Sequence, residues 1–213
     1  MTEVLHLLID RLDTPIGELT IVADEGGNLR AADWTRTDGD TRLRRYFEHH
    51  YGNHGLQLEP AGDPNGLTSA LRSYFAGDLK AIDTLPVNAA GTPFQCEVWR
   101  ALREIPCGTT ISYAKLARQI GRLAAVRAVG LANGSNPVPI VVPCHRVIGS
   151  DGSLTGYGGG LERKRWLLDH EKGPGLFVFS RHLGDLLSTS HYVNSHDLTG
   201  SDPGGCLGLL RPA

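Results

Sequence analysis

The sequence predicts an α+β fold in two parts, a small N-terminal antiparallel sheet with helices followed by a helix-turn-helix unit. Three observations carry that prediction. Residues 4–9, 17–22 and 28–34 are apolar-rich or alternating, with Leu19 and Ile21 in the second run and a Gly26-Gly27 turn before the third. Thr92-Pro93-Phe94-Gln95 combines an N-cap residue, a proline at the first helical position and a glutamine three residues after the cap. Two short helical patterns, 112–121 and 124–133, then follow with only a turn around Gly121 between them. At 213 residues the chain suffices for one large domain or two small ones.

The three early runs form an antiparallel meander. Residues 40–51 and 67–75 read as helices, because Leu43 and Phe47, and Leu71 and Phe75, stand four apart. Periodicity then fails around Pro86 and Gly91. This places an N-terminal domain at 1–85, a linker at 86–91 and a second domain at 92–171. In the helix after Thr92, Phe94, Val98, Trp99 and Leu102 share one face. The paired patterns at 112–133 fit a helix-turn-helix, although plain core hairpins share that pattern. From Asn136 to Arg146 the chain is extended and rigid, since Pro139 and Pro143 cannot donate to a sheet ladder. Residues 150–160 form a glycine-rich loop, and 161–171 a helix with Leu161, Trp166 and Leu167 facing inward. Beyond Lys172 the pattern decays into Gly, Ser, Asn and Asp. The reading for 172–213 is a disordered tail with at most a short helix near 182–187.

Composition narrows the function classes. Hydrophobic residues at 40% and charged residues at 21% exclude a disordered or fibrous chain. No apolar run approaches the ~18–20 residues of a membrane span, and Glu3 and Asp10 interrupt the place of a signal peptide. Cys96, Cys107, Cys144 and Cys206 show no CxxC spacing, which argues against a zinc ribbon or disulfide scaffold and places the chain in a reducing cytoplasm. The net charge of −2 is uneven. Residues 1–91 carry 8 Lys/Arg against 14 Asp/Glu, net −6, whereas 92–172 carry 11 against 6, net +5. A basic segment in an acidic chain suits contact with a polyanion through one part only, though solvated basic faces are also common.

The most suggestive chemistry is Cys144-His145. Only a minority of a free thiol with pKa near ~8.5 is thiolate at neutral pH, and an adjacent imidazole can take its proton. A buried structural cysteine is the bland alternative. Pro143 before the pair and Gly156-Tyr157-Gly158-Gly159-Gly160 after it leave backbone amides free and let a planar ligand approach. The pair alone also fits a thiol hydrolase.

Pro143-Cys144-His145-Arg146-Val147 resembles the active-site signature of the O6-alkylguanine-DNA alkyltransferases, the methylated-DNA–protein-cysteine methyltransferases. Ser112-Tyr113, Arg127-Ala128-Val129-Gly130, Ala132-Asn133-Gly134, Asn136-Pro137, Thr155-Gly156-Tyr157 and Trp166-Leu167-Leu168-Asp169-His170-Glu171 fall in family order and spacing. The resemblance spans residues 8–171 and is nearest to the bacterial constitutive enzymes. It implies a ribonuclease H-like N-terminal part, a winged helix-turn-helix and single-turnover repair. Cys144 would take the alkyl group from O6 of guanine or O4 of thymine and keep it. His145 would relay the thiol proton through a water, Glu171 would hold the imidazole tautomer, and Tyr113 would protonate the base. Asn136 would brace the turn before the active-site segment. Arg127 would fill the place of the flipped base, with its helix, including Ala128 and Gly130, in the minor groove. Backbone around Cys144, Val147 and Gly158 would read the base edge, with Tyr157, Gly159 and Arg146 also at substrate or DNA. The implied partner is double-stranded DNA bearing O6-alkylguanine or O4-alkylthymine. A monomer without cofactor or membrane is implied.

The chain departs from the family in places. Arg122-Leu123 replaces a common Arg-Pro, and Val126 replaces a small residue; facing the groove, Val126 would weaken docking, whereas turned inward it would pack against the helix at 112–121. Residues 1–91 contain no cysteine, so no N-terminal zinc site is expected. Residues 172–213 have no family counterpart. The alternatives are a non-catalytic lesion-binding module, which Cys144 opposes, a methylation-responsive regulator and a cysteine hydrolase.

Overall fold

The structure, a computed structural model, describes residues 4–35, 41–52 and 55–173. Strands β1 (Val4–Thr14), β2 (Gly17–Asp24) and β3 (Leu29–Trp34) make the expected antiparallel meander. Thr14 pairs with Gly17 across a two-residue turn, and Gly27, at φ 83°, supplies the left-handed residue of the next turn. The sequence pattern does not single out the fourth strand, β4 (Gly55–Pro60), which joins β1 in parallel to give the order β3-β2-β1-β4. All six of its residues are exposed, and Pro60 is tolerated because the strand lies at the sheet edge.

Both faces of the sheet are covered. Leu43 and Phe47 of α1 (Thr41–Tyr51) pack on Leu7, Val22 and Ala31. On the other face Leu71 and Tyr74 of α2 (Leu67–Phe75) belong to a larger core with Leu12, Leu19 and Ile21. Burial on both sides explains why β3 is buried at every residue, polar ones included.

Residues 86–91, read as a linker, are held along the edge of β3. Leu29 donates its N–H to the Pro86 carbonyl at 2.9 Å, Asn88 donates back to Leu29 at 3.0 Å, and Val87, Ala89 and Ala90 are buried. Farther along the same edge, Ala32 donates to the Pro137 carbonyl at 2.8 Å. The segment leading to Cys144 is thereby fastened to the N-terminal sheet.

Helix α3 (Pro93–Arg103) begins with the expected capping box, Thr92 N–H to Gln95 Oε1 at 2.8 Å and Gln95 N–H to Thr92 Oγ1 at 3.3 Å. Its buried Trp99 donates from Nε1 to the Ala132 carbonyl at 2.8 Å. After β5 (Ile111–Ser112), α4 (Tyr113–Gln119), a 3₁₀ turn at Leu123–Ala125 and α5 (Val126–Gly134) form the helix-turn-helix. β6 (Val147–Ile148) pairs in parallel with β5, and α6 (Leu161–Glu171) closes the described part. In α6 the inward strip is Lys164, Leu167, Leu168 and Glu171. Leu161, expected inward, is 44% exposed at the first position of the helix. One apolar core runs from Leu19 and Ile21 through Val98, Trp99 and Leu102 to Val142 and Leu167, so the two halves share it. Among the described residues no helix is long and apolar enough to cross a membrane. The tail at 174–213, including the short helix read near 182–187, lies outside the described residues.

Candidate active site

Cys144 is delivered by a buried, irregular segment that follows α5. The Asn136 side chain closes it on itself, donating from Nδ2 to the Val142 carbonyl at 2.7 Å and accepting from the Val138 N–H at 3.0 Å. Within that loop Ile140 is fully buried at φ 77°, a conformation that costs a β-branched residue about 1–3 kcal/mol. The Asn136 bonds and burial on all sides hold it there. A single 3₁₀ turn, Cys144–Arg146, then turns the chain into β6 and leaves the Cys144 side chain at a small cavity, the residue 6% exposed.

Glu171, in the last turn of α6, is the centre of the charge network behind the thiol. Its Oε1 accepts from His145 Nε2 at 2.8 Å, from Arg146 Nη2 at 2.9 Å and from the Tyr74 hydroxyl at 2.9 Å. Its Oε2 accepts from Arg146 Nε at 2.9 Å and from the Gly108 N–H at 3.3 Å. Burial alone would raise this carboxyl, but the bonds from His145 and Arg146 outweigh it and hold the group well below the usual carboxylate range. Burial lowers the His145 imidazole, with Glu171 opposing, so the ring is neutral at physiological pH. With Nε2–H on Glu171, the assigned tautomer leaves Nδ1 as an acceptor, and Nδ1 is buried without a protein partner. Burial also pushes the Cys144 thiol up, against the Asn136 amide and the cations Arg42 and Lys164.

The structure brings Cys144, His145, Glu171, Asn136, Val147, Tyr157, Gly158 and Gly159 to one region. It moves Arg146 out of the DNA-contacting set. Its guanidinium is buried against Glu171 and also donates to the Ile105 carbonyl, which makes it the counter-ion of the carboxylate and unavailable to phosphate. Lys164 is a site residue that sequence reasoning missed. It is fully buried, donates from Nζ to the Val147 and Thr155 carbonyls at 2.7 Å each, and burial pulls its ammonium down to about 8. It ties β6 to the root of the glycine-rich loop. Tyr74, Asn133 and Arg42 were also missed. Asn133 lies inside the Ala132-Asn133-Gly134 motif, whereas Tyr74 and Arg42 come from the N-terminal half and carry no local signal.

The helix-turn-helix carries the rest of the predicted set. Ser112 caps α4 by accepting from the Lys115 N–H at 3.1 Å, and the half-buried Tyr113 ring lies against Gly130. From α5, which contains no acidic residue, Arg127, Ala128 and Leu131 are exposed. Val126 does not share that face. It is half-buried and packs on the main core. Val126→Ala is therefore expected to cost about 1 kcal/mol, a few degrees of melting temperature, with duplex affinity unchanged. Tighter duplex binding with unchanged melting would return Val126 to the groove. Among the described residues no group of three or more His, Cys, Asp or Glu side chains is placed to hold a metal ion.

The chain matches the 6-O-methylguanine DNA methyltransferase ribonuclease-like domain over residues 7–89 and the DNA-binding domain of the same family over residues 93–173. The methylated-DNA–protein-cysteine methyltransferase of Shigella flexneri is 52% identical over 167 residues, 78% of this chain and 96% of that protein. The protein of that name from Mycobacterium tuberculosis is 46% identical over 161 residues, 76% of this chain and 90% of the relative. The crystal structure of M. tuberculosis O6-methylguanine methyltransferase superposes with a TM-score of 0.65 at 40% identity, covering 82% of this chain and 96% of that one. The M. tuberculosis protein solved in complex with DNA gives 0.63 at 42% identity, over 79% of this chain and 93% of that one. With both halves matched and the His145 imidazole, next in sequence to Cys144, held on the Glu171 carboxylate, the chain belongs to the 6-O-methylguanine DNA methyltransferase family.

Proposed function

We propose that the protein repairs DNA by moving the alkyl group of O6-alkylguanine, or of O4-alkylthymine, irreversibly onto Cys144, once per molecule. The observation that carries this reading is the relay geometry. His145 has one ring nitrogen on a buried carboxylate and the other unpartnered, and the residue before it is a thiol at a cavity. In the step proposed, a water passes the Cys144 proton to His145 Nδ1 while Sγ attacks the alkyl carbon. The S–C bond forms as the C–O bond breaks, and the electron pair stays on the departing base oxygen. Tyr113, at the start of α4 beside Gly130, donates a proton to the base as charge develops on it. Nothing then removes the alkyl group from sulfur, so turnover ends.

The target base must leave the duplex stack, at a cost of a few kcal/mol that a poorly paired lesion reduces. Arg127 and Ala128 are exposed on a helix without acidic residues, which suits minor-groove entry with Arg127 filling the vacated stack. Val147, Tyr157, Gly158 and Gly159 then border the extruded base. We read 1–85 and 92–171 as the two domains and 86–91 as their junction, in a cytoplasmic monomer that binds duplex DNA and needs no cofactor.

A plateau of one methyl per protein with an O6-methylguanine duplex supports transfer. Tight duplex binding with no covalent change favours the lesion-binding alternative. Truncation after Gly173 is expected to leave the transfer rate within about twofold, since the tail lacks a periodic apolar face to offset its ordering entropy. Loss of fold or activity on truncation would show that the tail belongs to the working unit.

A further inference from the structure

The cavity over Cys144 measures only about 10 Å³, room for one water at most, so no purine enters without a movement of its walls. What narrows it comes partly from the N-terminal half. Arg42, near the start of α1, donates from Nη2 to the Asn136 carbonyl at 2.9 Å, and its Nη1 stands 3.6 Å from Asp33 Oδ1. The same Nη1 lies against Gly158, where an added Cβ would meet it at 2.0 Å. One guanidinium therefore touches the turn before the nucleophile, the end of β3 and the glycine-rich loop.

The neighbouring residue is held just as closely. Gly159 packs on Trp34 Nε1, which a Cβ would meet at 2.5 Å, and its carbonyl accepts from Arg163 Nη1 at 2.9 Å. Trp34 Nε1 and the Tyr157 hydroxyl are both buried here and face each other without a well-formed hydrogen bond. The closed loop thus retains buried polar groups that water or a bound base would pair with more fully once it lifts.

We propose that Arg42 latches the glycine-rich loop 156–160 over Cys144 and thereby sets the size of alkylated base that the site admits. It is a positioning and specificity residue, acting through Gly158 and the Asn136 turn, and the inference rests on Cys144 being the alkyl acceptor. Only a planar fork reaches all three partners at once; a lysine keeps the charge but holds one of them. Glycine at 158 follows from the latch, because any side chain there ejects the guanidinium.

The test uses the full-length protein with free O6-methylguanine and free O6-benzylguanine, so that duplex binding does not enter. Cys144 alkylation rates are followed by intact mass for wild type, Arg42→Ala, Arg42→Lys, Gly158→Ala and the Arg42→Ala/Gly158→Ala double variant. The benzyl-to-methyl rate ratio is expected to rise at least about tenfold in Arg42→Ala, the scale on which pocket size discriminates substrates. Gly158→Ala should reproduce the rise, Arg42→Lys should show part of it, and the double variant should add nothing further. Should Arg42→Ala fail to fold, Gly158→Ala carries the comparison. An unchanged ratio in a folded variant, or full additivity in the double variant, overturns the latch. Wild-type protein that never carries methyl on Cys144 overturns the acceptor assignment instead, so the two failures are distinct.

Discussion

Glu171→Gln is expected to lower stability by about 3–5 kcal/mol, because it strands the Arg146 guanidinium in the interior without its counter-charge. For a unit of this size that corresponds to a melting temperature about 10 °C lower or more. The same change releases the His145 ring from its orienting partner, and the transfer rate should fall by about 10²-fold or more in whatever fraction stays folded. The carboxyl titrates in the folded protein below its ordinary value of 4.5. Its contribution is therefore complete above about pH 4.5 and is lost progressively as the pH falls below that. Thermal melts from pH 7 downward check this. The wild type should lose stability on acidification more steeply than Glu171→Gln, and a glutamine variant that melts within a degree or two of wild type would contradict the network's role.

Cys144→Ser is expected to abolish transfer while preserving fold and duplex affinity. A serine hydroxyl is a far weaker nucleophile near neutral pH, even with the same imidazole beside it. The replacement is close to isosteric, so melting should shift by less than about 1.5 kcal/mol. Transfer from a labelled O6-methylguanine duplex and affinity for the same duplex separate chemistry from binding. Residual transfer at a rate near wild type would mean that another group accepts the alkyl.

Much of this architecture is legible in the sequence where the determinants are local. The Thr92 capping box, the Gly26-Gly27 turn and the helix-turn-helix spacing each act within a few residues, and each appears where the pattern places it. Cys144 and His145 are adjacent, and the resemblance supplied Glu171. The remainder of the site depends on contacts between distant residues. Tyr74 reaches Glu171 and Arg42 reaches Asn136 only because the edge of β3 is hydrogen-bonded to the Pro86 and Pro137 carbonyls. Arg146 shows the converse error. Its place in a basic signature suggested DNA contact, but burial of Glu171 on the other side of the turn claims the guanidinium. Lys164 reads as one more surface lysine of a charged helix, and only the fold places its ammonium between two backbone carbonyls. Strand β4 escaped because its six exposed residues bury no face of their own.

The acceptor assignment is tested most directly by incubating the wild-type protein with excess O6-methylguanine duplex, measuring intact mass over time and mapping the modified peptide. One methyl group per molecule, a plateau that added substrate does not exceed, and modification confined to the peptide containing Cys144 are the expected result. Methyl on Cys107, the other free thiol among the described residues, or repeated demethylation of duplex by a protein whose mass never changes, would contradict it.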